Sequence, residues 1–91
     1  MDVNVGKDRQ VNVRVEKRAE GLFAVLKIEA TTRGVYCTRS FPMSSGTPDE
    51  LAKSFVIGVR EKFSLFGDLD SYHERQISIA IEAEGRDPIS V

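Results

Sequence analysis

The sequence predicts a small α+β domain: a four-stranded antiparallel sheet, in the order β-β-β-α-β, with one amphipathic helix packed on one face. Two observations predict this fold class. Short segments in which apolar and polar residues alternate recur along the chain, as in strands that bury one face. Between them lies one longer segment with a helical start signal and a helical spacing of its apolar residues. The short connections between the first strands indicate an antiparallel meander.

Size and composition predict a single domain over residues 1–91. The chain has a mass of 10.1 kDa and is 41% hydrophobic and 30% charged, which is ordinary for a folded protein. Such a chain buries one modest core, so it must pack well or share apolar surface with another subunit. Self-association or a protein partner is therefore expected.

The charge balance predicts no general binding of polyanions. The chain has 13 Lys and Arg residues against 14 Asp and Glu residues, a net charge of -1, so its overall field attracts neither phosphate nor an anionic membrane. No apolar run approaches the roughly 20 residues of a membrane span. The N-terminal stretch MDVNVGKDRQ resembles neither a secretory signal nor a transit peptide. With Cys37 as its lone cysteine, the protein is expected in the reducing cytoplasm.

The first strand is predicted from valines that alternate with polar residues. These valines are Val11, Val13 and Val15. Val3 and Val5 continue the same parity, so residues 1–9 are expected either to extend this strand or to form a flexible arm. Residues 6–9 form a bulge or a turn within this stretch, and the sequence leaves both alternatives open.

The second and third strands follow a polar turn near residues 18–21. In the run LFAVLKIEA, one face carries Leu22, Ala24, Leu26 and Ile28, and the opposite face begins with Phe23 and Val25. A short turn over residues 31–34 then leads to a third strand over residues 35–41, which is rich in β-forming residues and ends at Pro42.

One helix is predicted from a strong start signal. Thr47 is the expected N-cap, Pro48 is the first helical residue, and Glu50 completes a capping box. A rotation of about 100° per residue places the apolar residues on one stripe, formed by Ala52, Phe55, Val56, Val59, Phe63 and Phe66. Gly67 is the expected end of the helix.

A fourth strand is predicted after the polar connection GDLDSYHER. Every second residue of this strand is apolar, at Ile77, Ile79, Ile81 and Ala83. Residues 85–91, the tail GRDPISV, are expected to be loose.

The stretch RGVYCTRSF begins like the nucleic-acid-reading strand of an RNA-recognition module, in which a basic residue and a glycine precede stacking aromatics. Arg33 and Gly34 agree with that pattern, but the following Val35, Tyr36 and Cys37 do not. Residues 1–20 are also too short for the strand and helix that open such a module. Arg33 and Gly34 are therefore expected to form a tight hairpin turn in which the glycine supplies a positive φ.

The face of the sheet that the helix leaves uncovered is the candidate interface. If the helix covers Leu22, Leu26 and Ile28, the opposite face carries apolar anchors with a basic rim. The candidate interface residues are Arg14, Phe23, Val25, Lys27 and Tyr36. Acidic residues share or neighbour this face, so a protein interface is favoured over a base-stacking platform.

These patterns predict a non-enzymatic protein-interaction module that self-associates or binds a protein partner through the uncovered face or an edge strand. The alternative is a single-stranded nucleic-acid-binding domain that uses the same face, with an affinity that falls when Arg14, Lys27 or Arg33 is neutralised. The residues do not assemble into a nucleophile, a base and an oxyanion donor, so neither an enzyme nor a cofactor is predicted.

A cation site is considered in the polar segment before the predicted fourth strand. Its potential ligands are Asp68, Asp70, His73 and Glu74. Aspartate is common in turns and after helices, the segment lacks the pattern of a calcium loop, and His73 has no second histidine. No metal site is therefore predicted, and the sequence leaves cation binding by these residues open.

Overall fold

The computed structural model describes residues 1–91, which form five strands and two helices. The strands are β1 (Asp2–Asn4), β2 (Arg9–Arg18), β3 (Gly21–Ala30), β4 (Gly34–Pro42) and β5 (Ile89–Ser90). The helices are α1 (Pro48–Lys62) and α2 (Ser71–Gly85), with short 3-10 turns at Met43–Ser45 and Ser64–Phe66. The predicted α+β class, with a four-stranded antiparallel sheet and a packed helix, is confirmed, although the order of the elements differs.

Strands β1 to β4 pair in chain order as an antiparallel meander. β1 pairs with the first half of β2, where Val3 lies opposite Val11. β5 pairs in parallel with the second half of β2, where Ile89 lies opposite Glu16. β1 and β5 therefore share one side of β2, and the predicted loose tail is wrong for the residues of β5. At the other end of the sheet, β4 pairs with β3 alone.

Residues 5–8 form the turn between β1 and β2, so the turn is the correct alternative and the N-terminal residues form a strand of their own. Gly6 has a φ of 136° and Asp8 a φ of 59°, values that residues with a side chain adopt less readily. A Cβ atom at position 6 would also collide with the guanidinium of Arg9. The turn therefore requires glycine at this position.

Both helices pack on one face of the sheet, and the core lies between them and the strands. Odd residues of β2 lie opposite even residues of β3, as Val13 lies opposite Leu26, and these residues face the helices. The strands and the turn between β1 and β2 contribute Val3, Val5, Val11, Val13, Ala24, Leu26 and Ile28 to the buried cluster. The helices and the segment between them contribute Leu51, Ala52, Phe55, Val56, Val59, Phe66, Leu69, Ile77, Ala80 and Ile81.

The predicted start of α1 is confirmed. The Glu50 N–H donates to Thr47 Oγ1 at 3.1 Å, and the Thr47 N–H donates to Glu50 Oε1 at 2.8 Å, which is a complete capping box. The predicted end at Gly67 is wrong, because α1 ends at Lys62 and the next residue is extended. The 3-10 turn that follows carries Phe66 into the core.

The segment predicted as a fourth strand belongs to α2. Asp70 is the N-cap, and its carboxylate accepts from the N–H groups of Tyr72 and His73. Ile77 and Ile81 are buried whereas Ile79 is 47% exposed, which is a helical period and not an alternation. The prediction is wrong because an isoleucine at every second position also places two isoleucines four residues apart, on one face of a helix.

Neither helix of this structure is long and apolar enough to cross a membrane.

Candidate interaction surface

The sheet face opposite the helices holds four of the five predicted interface residues. Arg14 lies directly opposite Val25 in the β2–β3 register. Phe23 and Lys27 share the parity of Val25 along β3, so their side chains point to the same open face. The structure therefore brings these four residues together as the sequence predicts.

Tyr36 lies on the other side of the sheet, so its predicted place on the open face is wrong. Its ring packs edge-to-face against the buried ring of Phe66, with the ring centroids 5.0 Å apart. The cause is a bulge in β4: the register shifts between Ile28 and Glu29, which leaves Tyr36 as an extra residue in β4. An extra residue redirects the side chains around it, and turn and strand composition alone do not reveal it.

Glu16 binds two arginines on the open face. Arg14 Nε donates to Glu16 Oε2 at 2.7 Å, and Arg18 Nη2 donates to Glu16 Oε1 at 2.7 Å. The Glu16 side chain is 11% exposed, and the guanidinium of Arg18 lies 4.6 Å from the ring centroid of Phe23. The hydrogen bonds from Arg14 and then from Arg18 lower the pKa of Glu16 below its ordinary value.

This network predicts a loss of stability in acid. Because the pKa of Glu16 is lower in the folded protein than its ordinary value of 4.5, its stabilising contribution is present above about that pH. The contribution is lost as the pH falls through the folded pKa. We expect Glu16→Gln to flatten the decline of the unfolding free energy below pH 4.5, measured by urea denaturation across a pH series.

The matched control for this measurement is Glu20→Gln, at an exposed carboxylate that forms no ion pair. This variant should keep the wild-type slope. An unchanged slope in Glu16→Gln would show that the two arginines do not lower the pKa of Glu16 in the folded state.

The apolar residues of the open face are largely covered by their neighbours. Val25 is 2% exposed although it lies outside the cluster that the helices cover, so side chains of the adjacent strands shield it. Phe23 is partly buried beneath Arg18. This face is therefore mainly a polar layer of paired side chains, and it offers a partner few apolar anchors.

The backbone hydrogen bonds of β2 show to which side each residue of the sheet directs its N–H and C=O groups. In an antiparallel strand, the N–H and C=O of one residue point to the same side of the strand, and those of the next residue point to the opposite side. The Val13 N–H donates to the Met1 carbonyl at 2.8 Å, so Val13 and the other odd residues of β2 face β1. The even residues of β2 consequently bond β3, and through the register they bond its odd residues.

The same alternation leaves one side of β4 unpaired. The even residues of β3, such as Leu26, face β4, and Leu26 lies opposite Arg39. Arg39 therefore bonds β3, whereas Thr38 and Ser40 on either side direct N–H and C=O away from the sheet. Both residues are exposed. The free edge of the sheet thus presents two donor–acceptor pairs to an added strand.

The usable part of this edge is short. The bulge at Tyr36 disrupts the strand on one side, and Pro42, which has no N–H, ends it on the other. Between them lie residues 37–41, which we call the β4 edge. An added strand can therefore form a regular ladder only along these residues.

Cations that rest on aromatic rings lie along the helix side of β4 and at the end of α1. They are Arg33 over Tyr36 at 4.6 Å, Arg39 over Phe41 at 5.4 Å and Lys62 over Phe63 at 5.5 Å, measured to the ring centroids. None of these cations forms an ion pair within the chain. The side of the molecule that carries the β4 edge therefore has positive charge without an acidic partner.

Three of the four residues considered for a cation have other contacts. Asp68 binds the guanidinium of Arg9, at 2.8 and 2.9 Å. Asp70 caps α2, and His73 Nδ1 accepts from the Asp70 N–H at 3.2 Å, which closes the capping box. Asp70 and His73 thus serve as helix caps, and no group of three or more potential metal ligands is found.

A polar groove lies where the β1–β2 turn approaches the end of β3. Gln10 and Glu29 line it and are hydrogen-bonded to each other at 2.6 Å. Asp8, also in its wall, offers its carbonyl to the N–H and the hydroxyl of Thr31. These polar groups already have partners, so the β4 edge is the stronger candidate for recognition.

Comparison with protein-family models, with curated proteins and with solved structures finds no match for this chain.

The sequence did not identify the β4 edge as the candidate surface. A usable signal exists in the run Thr38, Arg39 and Ser40, which is polar on both faces and stands in a strand otherwise rich in β-forming residues. A strand exposed on both faces belongs at the edge of a sheet.

Proposed function

We propose that this protein is a non-enzymatic protein-interaction module that binds an extended segment of a partner protein by adding it to the sheet at the β4 edge. The observation that carries the proposal is the pair of outward-facing residues, Thr38 and Ser40, whose N–H and C=O groups have no partner strand. In this mode the main chain supplies affinity, and the side chains beside it supply specificity. We assign this function to the cytoplasm, where the single thiol of Cys37 stays reduced.

The free edge supports this function better than the open face does. Paired side chains cover the open face, whereas nothing covers the β4 edge, which pairs with β3 alone. Unpaired edge strands are natural templates for another strand, and proteins that do not use them usually block them. The bulge and Pro42 block the ends of β4 but leave its middle free.

A single-stranded nucleic-acid-binding function has less support. Base-stacking surfaces need several exposed aromatics on a basic face. Tyr36 and Phe41 both pack against the core on the helix side, and Phe23, the remaining aromatic of the sheet, lies beneath Arg18. The open face therefore offers one partly covered ring for stacking.

The test uses peptides selected from a random displayed library against the purified protein. Thr38→Pro removes one outward N–H and no bond to β3, since Thr38 faces away from the sheet. We expect it to weaken binding of the selected peptides at least about tenfold, or ~1.4 kcal/mol. The control Thr38→Val keeps the N–H and should bind as the wild type does.

Hydrogen exchange gives a second measurement on the unaltered chain. Bound peptide should slow exchange of the Thr38 and Ser40 amides, which face outward in the free protein. A library that yields no binder, or binders that tolerate Thr38→Pro and leave both amides unprotected, would contradict strand addition at β4.

A further inference from the structure

We propose that the segment bound at the β4 edge carries an acidic residue opposite Arg39, and that Arg39 also prevents two copies of this chain from pairing through the same edge. The inference rests on the proposed function and names the chemistry of the partner: an extended acidic segment of another protein. Two independent observations carry it, the register that a symmetric dimer would need and the positive side chains that lack an ion pair.

In a symmetric antiparallel pair of β4 edges, three registers place Thr38 or Ser40 of one copy opposite Thr38 or Ser40 of the other. If Thr38 lies opposite Thr38 of the second copy, Ser40 must pair with the bulged Tyr36. If Ser40 lies opposite Ser40 of the second copy, Thr38 must pair with Pro42, which has no N–H. The remaining register pairs Thr38 with Ser40 on both sides of the two-fold axis and completes every outward hydrogen bond.

That complete register places Arg39 directly opposite Arg39 of the second copy. The two residues form a non-hydrogen-bonded pair, in which the Cβ atoms lie about 4.5–5.5 Å apart, and like charges at such positions destabilise the pair. The chain supplies no carboxylate to offset them, since Arg39 contacts the ring of Phe41 and approaches Gly58. The one register that completes the hydrogen bonds of a homodimer is therefore also the register in which the two Arg39 side chains repel each other.

A partner strand in the same register can replace this repulsion at Arg39 with attraction. An aspartate or glutamate opposite Arg39 forms an ion pair with a guanidinium that already rests on an aromatic ring. Arg33 and Lys62 extend the positive charge on this side of the molecule, and neither has an ion pair within the chain. Residues at alternate positions of the added strand share one face, so acidic residues at alternate positions fit this edge.

The experiment uses a charge-swapped copy of the chain as the probe. Wild type and Arg39→Glu are each measured alone and as an equimolar mixture by sedimentation equilibrium over a concentration series. Alone, each should remain monomeric, since Arg39 would face Arg39 and Glu would face Glu. The mixture should form a heterodimer with a Kd at least about tenfold below that of either homodimer, which corresponds to ~1.4 kcal/mol.

Controls separate the edge from general charge attraction. Arg60→Glu reverses an exposed cation of α1 that lines a groove with Gly67, and its mixture with wild type should stay monomeric. Adding Thr38→Pro to either member of the heterodimer should abolish it. Arg39→Gln, which removes the repulsion without adding an acid, should form more homodimer than the wild type does.

A wild-type homodimer that Thr38→Pro dissociates would overturn the inference, and so would a mixture with Arg39→Glu that stays monomeric. The proposed function is judged separately by the selected peptides. Peptides that lose affinity for Thr38→Pro but show no enrichment of aspartate or glutamate would leave strand addition standing and remove the acidic partner.

Discussion

Replacing Arg9 with alanine is expected to lower the free energy of unfolding by about 3 kcal/mol, the sum of several lost hydrogen bonds to one partly buried group. The Arg9 side chain, 11% exposed, donates to the Val5 carbonyl at 2.8 Å and to the Leu65 carbonyl at 3.0 Å. It also binds both oxygens of Asp68 and lies 5.5 Å from the ring centroid of Phe66. One side chain therefore joins the β1–β2 turn to the segment between the helices.

Urea denaturation measures this effect, and Arg9→Lys is the matched variant. Lysine keeps the charge but lacks the planar fork that reaches three acceptors at once, so we expect it to recover less than half of the loss. The pKa of Asp68 is a second readout: hydrogen bonding from Arg9 lowers it in the folded protein, so it should rise in Arg9→Ala. A variant as stable as the wild type, with the Asp68 pKa unchanged, would contradict this arrangement.

Replacing Ile81 with alanine is expected to lower the free energy of unfolding by about 2–5 kcal/mol, as for other large-to-small changes in a packed core. Ile81 is fully buried in α2 beside Ile77 and Ala80. Ile79→Ala should change the stability by less than about 0.5 kcal/mol, since Ile79 is on the exposed side of α2. The two substitutions are chemically identical, so their difference reports the environment alone.

This pair of variants distinguishes a helix from a strand. In a strand, Ile79 and Ile81 point to one face and should respond alike. In α2 they lie two positions apart along a helix and point in different directions. Chemical denaturation of both variants provides the measurement, and equal losses of stability would favour the strand.

The elements that the sequence predicted correctly are those set by local chemistry. The start of α1 depends on Thr47, Pro48 and Glu50, which lie within four consecutive residues and cap the same turn. The turn before β4 depends on Gly34, whose φ of 94° is accessible to glycine. The valine alternation of β2 likewise predicted the buried face, because side chains in a strand alternate between its two faces.

The second helix shows where local patterns become ambiguous. Ile77, Ile79 and Ile81 satisfy a period of two, while Ile77, Ala80 and Ile81 satisfy a helical period. Asp70 caps α2 in the structure, but aspartate is as common in turns, so the polar segment before α2 did not reveal where a helix begins. Packing of α2 against α1 and β2 buries the residues of the helical period, and this contact exists only in the folded chain.

Local patterns along the chain were sufficient to predict the α+β class, the faces of β2 and β3 and the start of α1, because each depends on residues close together in the sequence. The free edge at β4, the pairing of β5 with β2 and the bulge that turns Tyr36 toward the core arise from long-range packing. Strand order, register and the clamp formed by Arg9 join residues far apart in sequence. No local pattern specifies such contacts, since they are selected by the burial and pairing of the whole chain.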